Sequence, residues 1–168
     1  CWDYGPVYYD FLQEYISGRE AGCEAEFSLL FIDDDDIPEL LIFQDGKGAG
    51  AKVYSCREGQ VAELGEYGYG SSGDMLYRER SGVVIDHFLG DGPYFGDHFY
   101  FYEIGNGTSR ELCHLYSGGF YSEENEEYTQ FYEIDGASVP KDTFDAKWNE
   151  LSDNHDGVFY EKSYSLEE

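Results

Sequence analysis

Short apolar runs, each closed by a glycine-containing turn, constrain this chain more than any other feature. Lys52–Cys56 and Val61–Leu64 flank Arg57-Glu58-Gly59, and similar punctuation recurs at Ser81-Gly82, Asn106-Gly107 and Asp135-Gly136. Asn-Gly and Asp-Gly supply the positive φ angles that the tight primed turns of β-hairpins need, so the runs beside them are read as antiparallel neighbours. Phe101-Tyr-Glu-Ile-Gly-Asn-Gly and Phe131-Tyr-Glu-Ile-Asp-Gly are near copies. Their uneven spacing makes them a recurring strand-then-turn unit and not a solenoid repeat. Phe27–Ile32 and Glu39–Phe43 are two further apolar runs of strand length, separated by an acidic turn.

Towards both ends the period changes from strand to helix. In Pro6–Ser17 the residues Tyr8, Phe11, Leu12, Tyr15 and Ile16 fall on one stripe; Pro6 sits in the first turn and Gly18 can end the helix. A second helix is predicted within Ser138–Leu151, its body Lys141–Leu151 and its stripe Phe144, Trp148 and Leu151. Val158–Tyr164 reads as a last strand. No linker or composition break divides the 168 residues. The expected fold class is therefore α+β: a single domain, 1–168, built as an antiparallel β-meander with an N-terminal and a C-terminal helix. A chain of this length buries roughly 70% of the surface its unfolded form exposes.

Charge narrows the partners. The formal net charge is −26, with ten lysines and arginines in all. Each phosphate contact needs such a cation, so nucleic acid is excluded as a partner, and an anionic membrane surface is disfavoured for the same reason. The field attracts cations: Ca²⁺, or a basic protein surface. No apolar stretch approaches the length of a membrane span. Cys1 is read either as the lipid-anchor cysteine left after signal cleavage or as a simple boundary. Cys1, Cys23, Cys56 and Cys113 lack C-x-x-C spacing, which argues against zinc; four cysteines allow three pairings, and buried free thiols remain the alternative.

The most informative segment is Phe27-Ser-Leu-Leu-Phe-Ile-Asp-Asp-Asp-Asp-Ile-Pro-Glu-Leu-Leu-Ile-Phe43. Hard cations take several oxygens from one tight loop, and Asp33, Asp35, the Ile37 carbonyl and Glu39 have the alternate spacing that supplies them. The competing reading is a turn whose aspartates bond to backbone N–H groups. With Asp33, Asp35 and Ile37-Pro38-Glu39-Leu40 in place, the segment resembles the strand–acidic turn–strand signature D-x-D-G-D-G-I-P-E-L of exported proteins from gut Firmicutes. The acidic loop of that family is similar to the calcium loops of dockerin and integrin-like type. The resemblance implies an extracellular or cell-surface location and Ca²⁺ as the bound ion; no activity comes with it. Phe31 stands at the signature's first aspartate, and Asp34 and Asp36 replace its two glycines.

Other constellations carry less. Asp86-His87-Phe88 and Asp97-His98-Phe99 flank Leu89–Gly96, and a symmetrically closed hairpin would set His87 directly opposite His98. Within that loop Tyr94 and Phe95 are the candidate ligand-binding residues, because two aromatics at a glycine-flanked tip cannot both be buried. Gly68-Tyr-Gly-Ser-Ser-Gly73 matches G-x-G-x-x-G, but the following Asp74-Met-Leu-Tyr-Arg reads as a strand where a phosphate site needs a helix. No nucleophile–base constellation stands out, so no catalytic residue is assigned.

Three functions compete on this evidence. The first is a secreted or cell-surface binding or accessory module, Ca²⁺-stabilised, whose Tyr-rich surface contacts a protein or glycan. The second is an acidic inhibitor or decoy that covers a basic partner surface. The third, a glycan-active hydrolase, would need a carboxylate pair that 36 acidic residues make impossible to single out.

Overall fold

The structure, a computed structural model, describes residues 3–18, 25–44, 50–68, 73–90, 95–122 and 127–152. The chain runs α1 (Tyr4–Ser17), β1 (Ala25–Leu30), β2 (Glu39–Gln44), β3 (Ala51–Arg57), β4 (Gln60–Tyr67), β5 (Gly73–Arg78), β6 (Val83–Gly90), β7 (Phe95–Gly105), β8 (Thr108–Ser122), β9 (Glu127–Ile134), β10 (Ala137–Val139) and α2 (Lys141–Leu151). The strands form a four-stranded sheet, β1-β2-β3-β4, and a six-stranded sheet, β10-β9-β8-β7-β6-β5, with every neighbouring pair antiparallel. This is the α+β meander with a helix at each end. Val158–Tyr164 lies outside the described residues.

The turn signals act as their chemistry dictates. Asn106 and Gly107 have φ of 55° and 68°, and Asp135 and Gly136 have 51° and 78°. Two consecutive positive angles make the primed turn whose twist matches that of the strands it joins. Asp3 caps α1, which begins two residues before the expected Pro6, its carboxylate accepting from the Gly5 N–H at 3.2 Å.

Packing is layered. Tyr8 of α1, with Val7, Phe11 and Leu12, covers Leu40, Ile42, Tyr54 and Cys56 on one face of the four-stranded sheet. From the opposite face Leu30, Leu41 and Val53 meet Tyr77, Val84 and Ile104 of the six-stranded sheet. β2 is thus buried on both faces, which is why Leu40-Leu41-Ile42 reads as an unbroken apolar run and not an alternating one. The far face of the six-stranded sheet packs Ile85, Phe101, Cys113 and Leu115 against Phe144, Trp148 and Leu151 of α2. Cys56 and Cys113 are therefore buried free thiols in separate layers.

The register of β6 on β7 corrects one expectation. His87 lies opposite Phe99, and His98 opposite Phe88. The register is offset by one residue from the symmetric pairing, with Gly90 opposite Gly96, and a shift of one residue sends alternate side chains to the other face. The core fixes this choice. Val84 faces Tyr102 towards the first sheet, and Ile85 faces Phe101 towards α2, so both apolar faces are matched at once.

Candidate functional site

β1 ends at Leu30, paired with Glu39 at the start of β2, and the acidic turn spans the gap. The Asp33 carboxylate accepts from the Asp35 N–H at 3.0 Å, and the Asp35 carboxylate accepts from the Ile37 N–H at 2.7 Å. These are two successive turns in which an aspartate closes on the N–H two residues ahead. The Glu39 side chain, 2% exposed, folds back so that Oε2 accepts from the Ile32 N–H at 2.9 Å. The Tyr8 hydroxyl of α1 donates to the Pro38 carbonyl at 2.8 Å and fixes the turn from below. Burial pushes the Glu39 carboxyl from its ordinary 4.5 up to about 7, and burial likewise raises Asp33.

The sequence-predicted set Asp33, Asp35, Ile37 and Glu39 does converge on one turn. One carboxylate oxygen each of Asp33, Asp35 and Glu39, however, is engaged with the turn's own backbone. Among the described residues, no group of three or more His, Cys, Asp and Glu side chains is placed to hold a metal ion. Positive charge reaches the turn from arginines instead. Arg57 Nη2 lies 3.6 Å from Asp35 Oδ2 and Arg80 Nη1 3.7 Å from Asp36 Oδ1. Arg80 stacks on Phe31, and the backbone N–H groups of Arg80 and Gly82 donate to the Phe31 and Ile32 carbonyls, each at 2.8 Å. Phe31, which departs from the calcium-loop signature, is thus the seat of a cation supplied by the other sheet.

The acidic turn, the turn between β5 and β6 and the turn between β7 and β8 converge around a cleft of about 520 Å³. Arg57, Arg80 and Arg110 line it, together with Asp33, Asp34, Asp35 and Glu103. Three of the chain's five arginines therefore meet in one place. The sequence reading missed them, although each stands within four residues of a turn glycine: Gly59, Gly82 or Gly107.

A second surface lies at the opposite end of the six-stranded sheet. Phe95 is 63% exposed at the start of β7; Tyr94 is outside the described residues. Phe95 pairs with Gly119 of β8, and one step further along the same face Tyr121 pairs with Tyr128. Tyr121 and Tyr128 are 60% and 63% exposed. Tyr128 lies across the bare backbone of Gly119, where an added Cβ would stand 2.3 Å from its hydroxyl.

The reverse face of this sheet carries a ladder of rings. His114 stacks on Tyr100 at 4.0 Å, and His98 packs on Phe88 at 4.8 Å and on Tyr116 at 4.4 Å. His98 Nδ1 and His114 Nε2 share a hydrogen bond of 3.0 Å, and burial lowers both imidazoles. His87, on the α2 side, stacks on Phe99 and hydrogen-bonds Asp97 at 2.9 Å. The two histidines that the sequence set side by side thus belong to different networks.

Compared with known proteins, the chain matches no protein-family model, no curated protein and no solved structure.

Proposed function

We propose that this domain is a binding module of the cell exterior that contacts a glycan through the aromatic end of its six-stranded sheet. The observation that carries this reading is the trio Phe95, Tyr121 and Tyr128, three rings each at least 60% exposed on one face of one sheet end. Aromatic faces carry negative charge density and suit the weakly positive carbon-bound hydrogens of a sugar ring. Gly119, bare of a side chain, leaves room for the hydroxyl end of the Tyr128 ring over the strand. A net charge of −26 favours a neutral glycan over an anionic one. The exterior location rests on the resemblance of Asp33–Leu40 to exported proteins, and Ca²⁺ at the Asp33 turn is proposed on that same resemblance.

A glycan-array screen, followed by titration of the tightest hit, tests the proposal. A central aromatic anchor contributes on the order of 2 kcal/mol, so Tyr128→Ala should weaken binding roughly thirtyfold with the fold intact. Affinity unchanged in Phe95→Ala, Tyr121→Ala and Tyr128→Ala alike would overturn it. Basic polypeptides bound in place of glycans, and released by salt, would favour the acidic decoy.

A further inference from the structure

We propose that the cleft between the two sheets is a separate site for a small zwitterion, a free α-amino acid or a short peptide. Arg57 and Arg80 hold its carboxylate; Asp34, an exposed carboxylate of the same cleft, holds its ammonium group.

The lining has both signs in near balance: Asp33, Asp34, Asp35 and Glu103 against Arg57, Arg80 and Arg110. On a chain of charge −26 this is an unusual concentration of cations. A simple anion would be repelled by the surrounding field, and a simple cation would meet the guanidinium groups. A molecule carrying both charges a few ångströms apart satisfies both halves.

The arginines are not equivalent. Arg110 is closed off by Glu103 at 2.6 Å. Arg57 and Arg80 stand 3.6 and 3.7 Å from their carboxylates, beyond direct hydrogen bonding to them, with side chains 43% and 45% exposed; Arg80 Nη1 donates to the Asp35 carbonyl at 3.3 Å. Their planar forks match a carboxylate in two-point geometry. Both are also held in place by packing that needs no anion. The stem of Arg57 lies against Gly107, where a Cβ would stand 2.6 Å from Cδ, and Arg80 rests 4.7 Å above the Phe31 ring. Groups ordered beforehand lose less freedom when a ligand arrives. A cleft of about 520 Å³ takes a ligand of up to tripeptide size.

The test titrates the full chain with free amino acids and with di- and tripeptides, each alongside its N-acetylated and C-amidated form. The expected result is binding by zwitterions, a tenfold or greater loss on blocking either end, and a similar loss in Arg57→Gln. Free amino acids binding as well as peptides would identify the former as the ligand; a clear gain with chain length would identify the latter. Arg80 also supports the acidic turn, so Arg80→Lys, checked by circular dichroism, is its variant; Asp34→Asn probes the ammonium end and should weaken binding of the zwitterion. Absence of binding at 10 mM-scale ligand, equal binding of end-blocked peptides, or binding indifferent to Arg57→Gln would each overturn the proposal. Glycan binding that depends on Tyr128 would survive any of these outcomes.

Discussion

Arg80 places its guanidinium carbon 4.7 Å above the centre of the Phe31 ring, and this contact joins the two sheets at the acidic turn. Each residue explains the other. Four consecutive aspartates, Asp33 to Asp36, need nearby positive charge, and the ring at Phe31 gives one arginine a place to stand.

Phe31→Asp therefore restores the signature's first carboxylate and removes the arginine's seat. The variant should lose about 0.5–1 kcal/mol of stability in EDTA. It should also gain a Ca²⁺-dependent rise in melting temperature larger than that of the wild type. Melting curves in EDTA, millimolar Ca²⁺ and millimolar Mg²⁺ measure both effects. A Ca²⁺ response in the wild type that exceeds the Mg²⁺ response supports an ion at Asp33, Asp35, Ile37 and Glu39. Equal small responses identify charge screening alone.

Glu39 predicts a pH dependence with a definite sign. Its carboxyl is raised from 4.5 to about 7, so between those values the folded state retains a proton that the unfolded chain releases. The stabilisation is complete below pH 4.5 and fades as pH rises through about 7. Asp33 and Asp86, also raised by burial, act in the same sense. His98 and His114, lowered by burial, act oppositely as pH falls below the usual histidine range. Comparison with Glu39→Gln isolates the single group. The amide oxygen can still accept from Ile32, and the variant should lose a pH-dependent contribution on the order of a few kcal/mol.

Gly119 and Gly96 should respond differently to alanine. At Gly119 the new methyl meets chiefly the hydroxyl end of Tyr128, an exposed ring that can swing aside, and approaches the Thr129 carbonyl at 3.0 Å, which need give by only a few tenths of an ångström. Stability should change by less than about 1 kcal/mol, while the proposed glycan binding falls because Tyr128 is displaced from its place over the glycine. At Gly96 the methyl meets the Gly118 Cα and the Ser117 carbonyl, both at 2.7 Å, and backbone cannot step away. Gly96→Ala should cost roughly 1–3 kcal/mol in chemical denaturation.

Cys56 and Cys113 should resist thiol reagents until the protein unfolds. Both are buried, and burial raises the Cys113 thiol to about 11, leaving almost no thiolate at neutral pH. Labelling followed by mass spectrometry across a urea gradient should show both sites reacting with the global transition.

The turns and both helices were legible because their chemistry is local: Asn106-Gly107 and Asp135-Gly136 need no tertiary contact to specify a hairpin. The acidic turn was legible as a turn and ambiguous in purpose. Alternate aspartates serve equally as ligands to an ion and as acceptors for the N–H two residues on, since both uses repeat every second residue. The register of His87 and His98 was not legible, because it is set by Ile85 against Phe101 across the sheet and not by the loop between them. The arginine cleft escaped for a similar reason. Arg57, Arg80 and Arg110 come from three different hairpins, and only the packing of one sheet on the other brings them together.

β7, β8 and β9 extend beyond the layers that cover them. The buried clusters reach Phe99, Leu115 and Tyr132 on these strands, whereas Phe95, Tyr121 and Tyr128 stand further out along the same ribbons. One continuous hydrogen-bonded ladder therefore links a half that must be apolar to a half that need not be. Substitutions of the exposed rings Phe95, Tyr121 and Tyr128 leave the inner half, which keeps the strands in register, untouched. The side chains that fill the core and the side chains that meet solvent thus share the same strands and answer to separate constraints.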